Sequence, residues 1–281
     1  MDIELLRTFL EVDRTRHFGR AAENLFLTPS AISARIRQLE ELIGVPLFVR
    51  QHHNLHLTPA GHRLRSHAEA ILAAWNRARQ EVVLEEGRDP LTVAGIDSLW
   101  DVVLQPWLLD LRRHHPELAI RAEAHSAETL IRKLLDDALD IAFLFDPPQM
   151  EELNSETVAT LQLILVASRP GLDATAALAS DYLMVDWGSA FRIQHQRQHP
   201  NSPPPLMHIG PGRIALACLL EQGGSAYLPQ SCAAPLMASG QLHPVSDNPA
   251  IERPVHALWS RRNNRQTVIR RVLGRFESTH R

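Results

Sequence analysis

Residues 18–37 constrain the fold of this chain more than any other stretch, because they have the pattern of two short helices joined by a tight turn. The inward positions of both helices are apolar and recur at helical spacing: Ala21, Ala22, Leu25, Ile32, Ile36 and Leu39. Thr28 is placed to cap the second helix, and Pro29 occupies its first position, where a missing N–H costs nothing. The stretch therefore predicts a helix-turn-helix, although an ordinary helical hairpin has the same pattern.

The outward face of the second helix consists of short side chains beside one arginine. Ser30, Ser33 and Ala34 share this face with Arg37. Short side chains let a helix approach base edges in the major groove of DNA, and an arginine can donate two hydrogen bonds to guanine. The pattern predicts that this helix recognises DNA.

A pair of strands is predicted next, over residues 45–50 and 55–57, with a turn between them. Gly44 is placed to end the preceding helix. Arg50 lies at the base of this two-stranded wing, where it is placed to hold a phosphate, and His53 in the turn is a second candidate for phosphate contact. The predicted DNA-binding residues are Thr28, Pro29, Ser30, Ser33, Ala34, Arg37, Arg50 and His53.

These features together resemble the amino-terminal domain of the LysR-type transcriptional regulators. The matching positions are Leu6, Phe9, Ala21, Ala22, Leu25, Ser30, Ser33, Ile36, Leu39, Glu40, Leu42, Gly44, Leu47, Phe48, Arg50, Leu57, Thr58 and Gly61. Within the family, residues 15–23 and 35–40 are similar to the HdfR-type regulators, repressors of a flagellar master operon. The resemblance implies a sequence-specific regulator that binds a double-stranded DNA operator, with RNA polymerase as a further candidate partner. Pro29 and Ala34 stand where many relatives have longer polar side chains, so the operator sequence does not follow.

Composition is compatible with this resemblance. The chain has 281 residues, more than one average domain, and 44% of them are hydrophobic, which is enough for buried cores. The net charge of −3 argues against nonspecific coating of nucleic acid. Residues 1–66 nevertheless hold nine arginines against seven acidic residues. The sequence has neither a signal-peptide pattern nor the roughly eighteen apolar residues of a membrane span, so a cytoplasmic protein without a membrane partner is expected.

A single long helix is predicted from residue 59 to about 86, and it would measure about 40 Å. Its apolar stripe is represented by Leu64, Ile71, Leu72 and Trp75. So small a winged domain cannot bury the whole stripe, so pairing with the same helix of a second subunit is predicted. Packing against the rest of its own chain is the alternative. The resemblance implies a homodimer or a homotetramer.

Beyond a polar hinge the pattern changes to alternating strands and helices. The predicted elements of a first lobe are strands at 91–95, 118–124 and 139–145 and helices at 99–113 and 128–138. Their order predicts a βαβαβ unit with a parallel sheet. A second α/β lobe is predicted over about 161–259, and the last helix, about 265–277, returns to the first lobe.

The predicted elements of the second lobe are strands at 161–167, 182–186, 206–209, 225–228 and 255–259 and a helix at 213–221. Two such lobes resemble the periplasmic-binding-protein-like effector domain of the family. The expected fold is α/β and has three parts: a winged helix-turn-helix over 1–58, a linker helix with a hinge over 59–88, and a two-lobed effector domain over 89–281.

A small ligand of such a domain lies between the lobes, at the carboxyl ends of strands. The predicted effector-binding residues are Ser98, Trp100, His125, Ser126, Phe145 and His208. Ser98 and Ser126 are placed to hold an anion at helix N-termini or only to cap those helices, so an anionic metabolite is the expected effector. Trp100 could instead fill the cleft, which would favour an ungated repressor or a nucleoid-associated protein.

An enzyme is the competing class of protein. Asp97, Ser98 and His125 could form a catalytic set, but no G-x-S-x-G nucleophile elbow accompanies them. Neither H-E-x-x-H nor C-x-x-C occurs, and nothing beside Cys218 or Cys232 indicates a reactive thiol. The sequence therefore predicts no enzymatic activity, no cofactor and no metal ion.

Overall fold

The computed structural model describes residues 2–51, 54–83, 88–179 and 181–276. Contacts divide the chain into two compact units, residues 1–84 and 85–281. The elements of the first unit are α1 (Ile3–Thr15), α2 (Phe18–Asn24), α3 (Pro29–Ile43), β1 (Phe48–Gln51), β2 (Asn54–Leu57) and α4 (Pro59–Val83). Among the helices of the described ranges, none is both long enough and apolar enough to span a membrane.

The recognition helix α3 begins and ends where the sequence predicts. The Thr28 hydroxyl accepts a hydrogen bond of 3.2 Å from the Ala31 N–H, and Pro29 occupies the first turn. Gly44 ends the helix in the left-handed region, with φ of 83°. That conformation is easily reached by glycine, which lacks a Cβ.

The wing packs on the helices through aromatic and backbone contacts. Strands β1 and β2 are antiparallel, with Phe48 opposite Leu57. The Phe48 ring lies 5.4 Å from that of Phe9, so the wing continues the core of the three helices. The residues of this core are Leu5, Leu6, Phe9, Val12, Ala21, Ala22, Ile32, Ile36, Leu39, Leu47, Leu55, Leu57 and Ala68.

The second unit contains one mixed sheet with helices around it. Its helices are α5 (Asp97–Leu99), α6 (Gln105–His114), α7 (Ala127–Leu135), α8 (Ala174–Ala179), α9 (Ser189–Gln198), α10 (Gly212–Gln222), α11 (Gln230–Ala238) and α12 (Gln266–Leu273). Its strands are β3 (Asp89–Gly95), β4 (Leu118–Ala124), β5 (Ile141–Leu144), β6 (Leu153–Ala167), β7 (Tyr182–Val185), β8 (Met207–Ile209), β9 (Ser225–Pro229), β10 (His243–Pro244) and β11 (Ile251–Ser260).

The strand order β4-β3-β5-β11-β6-β9-β7-β8 divides this sheet into two parallel halves joined by antiparallel strands. Strand β3 is parallel to both β4 and β5, which confirms the predicted βαβαβ lobe. On the other side, β7 is parallel to β8 and β9. The long strands β6 and β11 pair with each other and join the halves, because β11 also pairs with β5 and β6 also pairs with β9.

The last helix packs on the first lobe. The Trp107 indole N–H donates to the Val272 carbonyl at 3.1 Å, and its ring stacks on Phe276 at 4.8 Å. Arg275 donates two hydrogen bonds to the Asp110 carboxylate. The chain therefore returns to the lobe where the second unit begins.

Several predicted boundaries in the second unit were wrong. The helix predicted over 99–113 begins at Asp97 and includes a π-helical segment, Trp100–Leu104. The helix predicted over 128–138 ends at Leu135, because Asp137 adopts a left-handed backbone conformation.

The predicted strand ends also shifted. Strand β5 spans only Ile141–Leu144, whereas 139–145 was predicted. Strand β6 begins at Leu153, eight residues before the predicted start of the second lobe. Its first half was not predicted because it is largely exposed and lacks an apolar run. Strand β11 begins at Ile251 rather than at Val255. Helices α8, α9 and α11 were not predicted.

Candidate DNA-binding surface and effector cleft

The predicted recognition face lies along α3. Thr28, Pro29, Ser30, Ala34 and Arg37 are all exposed, and Ser33 is partly so. The Ser30 and Thr28 hydroxyls lie 3.0 Å apart, the Ser33 hydroxyl donates to the Pro29 carbonyl at 2.9 Å, and Arg37 Nε lies 3.4 Å from the Ser33 carbonyl. Positions 30, 33, 34 and 37 share one side of a helix, so the structure brings these side chains together on one surface.

The neighbouring Arg35 does not belong to this surface. Its guanidinium lies 3.3 Å from the Thr8 hydroxyl and 3.7 Å from the Glu4 carboxylate, so it joins α3 to α1. The backbone of Arg50 pairs with Leu55 in the wing. The side chain of Arg50 and the whole of His53 lie outside the described residues.

The predicted dimerisation stripe lies on helix α4 and has two parts that differ in burial. Leu64, Ala68 and Leu72 pack on the winged core, so they are satisfied within their own chain. Ile71 and Trp75 are exposed. Because α4 lies against α1 and the wing over its first half, its own chain partly covers Leu64 and Leu72 and leaves Ile71 and Trp75 for the predicted pairing with a second subunit.

A cavity of about 410 Å³ lies between the two lobes. Strands β3, β4 and β5 of the first lobe and β7 and β8 of the second all end at it, as expected for a ligand site in an α/β fold. Its lining residues are Ile96, Asp97, Ser98, His125, Ser126, Ala127, Leu144, Phe145, Asp146, Asp186, Gly188, Gly210 and Pro211. Four of the six predicted effector-binding residues meet here: Ser98, His125, Ser126 and Phe145.

The two predicted serines differ in what they contact. The Ser126 hydroxyl caps α7, accepting a hydrogen bond from the Thr129 N–H. Ser98 is 7% exposed, and its hydroxyl has no hydrogen-bond partner within the described part of the chain. Because Ser98 lines the cavity, its hydroxyl is available to a ligand atom or a water molecule.

The His125 imidazole is oriented by Glu123 and Lys133, which do not line the cavity. Its Nε2 lies 2.8 Å from a Glu123 carboxylate oxygen and 2.9 Å from Lys133 Nζ. Glu123 also contacts Arg121. Burial raises the pKa of Glu123, but hydrogen bonds from Lys133, His125 and Arg121 outweigh it and lower the pKa to about 2. Because Nε2 is occupied by this cluster, Nδ1 is the ring nitrogen of His125 that has no hydrogen-bond partner within the described part of the chain.

An ion pair closes the cavity at the junction of the lobes. The Arg253 guanidinium is buried, donates to Asp146 at 2.9 Å and to the Trp187 carbonyl at 2.8 Å, and lies over the Phe145 ring. The Asp146 carboxylate also accepts hydrogen bonds from the Ser189 N–H and hydroxyl. Asp146 follows β5 in the first lobe, and Ser189 begins α9 in the second. The contacts among Asp146, Ser189 and Arg253, called the latch below, therefore join the two lobes.

Two predicted residues lie elsewhere. Trp100 turns away from the cavity, and its indole N–H donates to the Glu123 carbonyl at 3.2 Å. It therefore does not block the cleft. His208 lines a separate depression of about 240 Å³ with Met184 and Arg192.

The carboxylates of the lining were not among the predicted effector-binding residues. Asp97, Asp146 and Asp186 all face the cavity, so the expected anionic effector would meet negative charge. Gly188 was also missed, although its position after a strand and before a helix was a usable signal. Its φ is 89°, and a Cβ there would lie 2.7 Å from both Arg253 Nη2 and Asp146 Oδ2.

The chain combines a winged helix-turn-helix, which has an exposed recognition face, with a two-lobed domain that encloses a cavity. This combination defines a ligand-responsive class of DNA-binding regulator. Residues 3–62 match the family of bacterial regulatory helix-turn-helix proteins of the lysR family, and residues 84–280 match the LysR substrate binding domain. The chain therefore belongs to the LysR family and is a DNA-binding transcriptional regulator with an effector-binding domain.

Curated relatives support the subgroup suggested by the sequence. The HTH-type transcriptional regulator HdfR of Yersinia enterocolitica is 36% identical over 282 residues, which cover 97% of this chain and 95% of the relative. HdfR of Yersinia pestis is 37% identical over 284 residues with the same coverage. The resemblance to the HdfR type is thereby confirmed.

Solved structures of lower identity share the fold. CbnR, a LysR family transcriptional regulator, has a TM-score of 0.72 at 18% identity, covering 99% of this chain and 98% of CbnR. Full-length CbnR complexed with its target DNA has a TM-score of 0.71 at 19% identity and the same coverage. Full-length OxyR of Pseudomonas aeruginosa has a TM-score of 0.61 at 21% identity, covering 99% of this chain and 95% of OxyR.

Proposed function

We propose that this regulator binds its operator as a dimer through α3 and the wing, and that a small molecule in the inter-lobe cavity alters that binding. The observation that carries the proposal is the cavity itself, which receives strand ends from both lobes and contains the unpartnered Ser98 hydroxyl. Its role is regulatory rather than catalytic, and its place of action is the cytoplasm, where the operator lies.

The DNA-binding residues divide into two roles. Ser30, Ser33 and Arg37 approach base edges, and Arg50 holds a phosphate at the base of the wing. Arg37→Ala should then cost about 1–3 kcal/mol on the preferred sequence and relax the preference for one base pair. Arg50→Ala should weaken binding to all duplexes alike. It should also reduce the slope of log affinity against log salt concentration by about one.

The test uses a duplex selected by the full chain from a randomised pool, together with an unselected duplex of equal length. Fluorescence anisotropy at several salt concentrations gives affinity and salt slope for each variant. Arg14→Ala is the matched control, because Arg14 is exposed but paired with Glu11 in α1. If Arg37→Ala weakened both duplexes by the same factor, the assignment of Arg37 to base readout would be wrong.

The dimer uses the second half of α4. Ile71, Trp75, Ala78 and Val82 are exposed and spaced by four, three and four residues, which places them on one stripe. No element among the described residues of the first unit covers this stripe. Two copies of α4 packed along it would bury all four side chains and bring two recognition helices to one operator.

Charge on the stripe should separate the copies. Ile71→Glu combined with Trp75→Glu should give a monomer by analytical ultracentrifugation and a large loss of operator affinity. Asn76→Glu is the matched control, since Asn76 is exposed and lies about 130° around the axis of α4 from the stripe. A double variant that stays dimeric would contradict the proposed interface.

We expect the effector to carry both a positive and a negative charge. Helix α10, which begins beside Gly210 and Pro211, has no side-chain cap, so its free N–H groups can hold a carboxylate. Asp97 and Asp186 have no basic partner among the described residues, so they favour an ammonium group on the same ligand. A zwitterion of α-amino-acid type satisfies both ends and can accept or donate at Ser98.

A thermal-shift series tests this ligand class. Each α-amino acid is compared with the α-hydroxy acid and the amine of the same side chain. The zwitterion should raise the melting temperature most in the wild type, less in Asp186→Asn, and least in Ser98→Ala. Ser239→Ala is the control, because Ser239 is exposed, follows the last residue of α11 and does not line the cavity. Stabilisation by hydroxy acids alone would contradict the charge assignment, whereas no stabilisation by any probe would contradict effector binding itself.

A further inference from the structure

The turn between α2 and α3 holds a phenylalanine in an unfavourable conformation. Phe26 has φ of 55°, in the left-handed region that bulky residues avoid. The Phe26 N–H donates to the Glu23 carbonyl at 3.2 Å, and the Leu27 N–H donates to the Ala22 carbonyl at 2.9 Å. This pairing is a Schellman motif, whose left-handed position is usually glycine because glycine has no Cβ.

The Phe26 ring is neither buried nor stacked on another ring in the described part of the chain. Phe26 is 95% exposed, the highest exposure of any large apolar side chain among the described residues. Neither burial nor an aromatic partner compensates for the strained backbone. Strain held without an internal contact points to a contact outside the chain.

The position of Phe26 determines what that contact is. Only Leu27 separates it from Thr28, the cap of the recognition helix, so the Cα atoms of Phe26 and Thr28 lie within about 7.6 Å. Recognition helices enter the major groove by their N-terminal residues. When Thr28, Pro29 and Ser30 reach the groove, the Phe26 ring is beside its edge.

We infer that Phe26 is a DNA-contacting residue whose ring packs on an apolar group of the operator at the edge of the major groove. Two such groups lie there: the C5 methyl of thymine, which phenylalanine can contact, and the carbon face of deoxyribose. The first contact reads sequence and the second does not. This inference rests on the DNA-binding function of the family and not on the proposed effector or dimer.

The test is Phe26→Gly in the full chain, measured on the duplex selected by the wild type. Glycine relieves the left-handed strain, so the free protein should unfold at the same or a higher temperature by circular dichroism. Operator affinity should nevertheless fall by about fivefold or more. Phe26→Tyr should retain affinity, and Leu42→Ala is the control for loss of an exposed apolar side chain elsewhere on α3.

Uracil in place of each thymine distinguishes the two contacts. If the ring packs on a thymine methyl, one uracil should weaken the wild type and leave Phe26→Gly unaffected. If it packs on deoxyribose, Phe26→Gly should weaken binding to the thymine and uracil duplexes equally. Operator affinity of Phe26→Gly within twofold of the wild type would overturn the inference, because stability and folding are not at risk in this variant.

Discussion

Removal of the Asp146 carboxylate should destabilise the second unit far more than removal of an exposed partner. Arg253 is 4% exposed, and Asp146→Ala leaves its guanidinium with the Trp187 carbonyl as its remaining hydrogen-bond acceptor among the described residues. Breaking a buried ion pair from one side costs about 3–5 kcal/mol. The Asp146 side chain is 36% exposed, so water reaches the site and the lower end, about 3 kcal/mol, is expected.

Asp101→Ala is the matched control. Asp101 pairs with Arg213 at 3.3 Å, and the Arg213 side chain is 68% exposed. An exposed pair contributes about 0–1 kcal/mol. Urea unfolding followed by tryptophan fluorescence should therefore give a much lower midpoint for Asp146→Ala than for Asp101→Ala, with similar slopes.

Two further measurements separate the ion pair from a simple packing defect. Arg253→Met in the Asp146→Ala background should recover part of the lost stability, because no buried charge is then left unpaired. Burial raises the pKa of Asp146, but hydrogen bonds from Arg253 and Ser189 outweigh it and hold the pKa below its usual range. The stabilisation is therefore present above about pH 3.9 and lost as the pH falls below that value, and Asp146→Ala should lack this step. Equal losses for Asp146→Ala and Asp101→Ala, within about 0.5 kcal/mol, would refute the reasoning.

Three other outcomes follow from single contacts. Gly61→Ala should destabilise the winged unit by about 1–3 kcal/mol in thermal unfolding, since its Cβ would lie 2.3 Å from the Leu47 carbonyl oxygen. Burial and the charge of His199 lower the pKa of His195 to about 4, so stability should fall as the pH drops from about 6.5 to 4, and His195→Gln should flatten this slope in pH-dependent urea unfolding. Lys133 is the single lysine of the chain, and Glu123→Gln should speed its labelling by an amine-selective reagent, as measured by peptide mass spectrometry.

The sequence was most informative where local chemistry determines the backbone. Thr28, Pro29 and Gly44 fix the ends of α3 through a hydroxyl cap, a ring-locked φ and a left-handed turn, none of which needs a distant partner. The same holds for β5 of the βαβαβ lobe and for the second half of β3, which are apolar and buried. These elements could be placed from neighbouring residues alone.

Elements defined by distant partners could not be placed in this way. The first half of β6 is polar and exposed, and its extended conformation is stabilised by pairing with β11 about a hundred residues later. Asp186 and Gly188 reach the cavity only because the second lobe folds back against the first. Leu64 and Leu72 have the periodicity of an oligomer stripe, and only the position of α4 against α1 reveals that they pack within their own chain.

The latch and the cavity share residues, which limits how any ligand can act there. Asp146 and Gly188 line the cavity, while Asp146 also holds Arg253 and Ser189 across the lobe junction. A ligand shifts a conformational equilibrium only by binding one arrangement more tightly than another. An ammonium group beside Asp146 would compete with Arg253 for the same carboxylate and loosen the latch, whereas a ligand held by Ser98 and Asp186 alone would leave it intact. The sign of an effector's influence on the lobes therefore depends on which carboxylate its cationic end reaches.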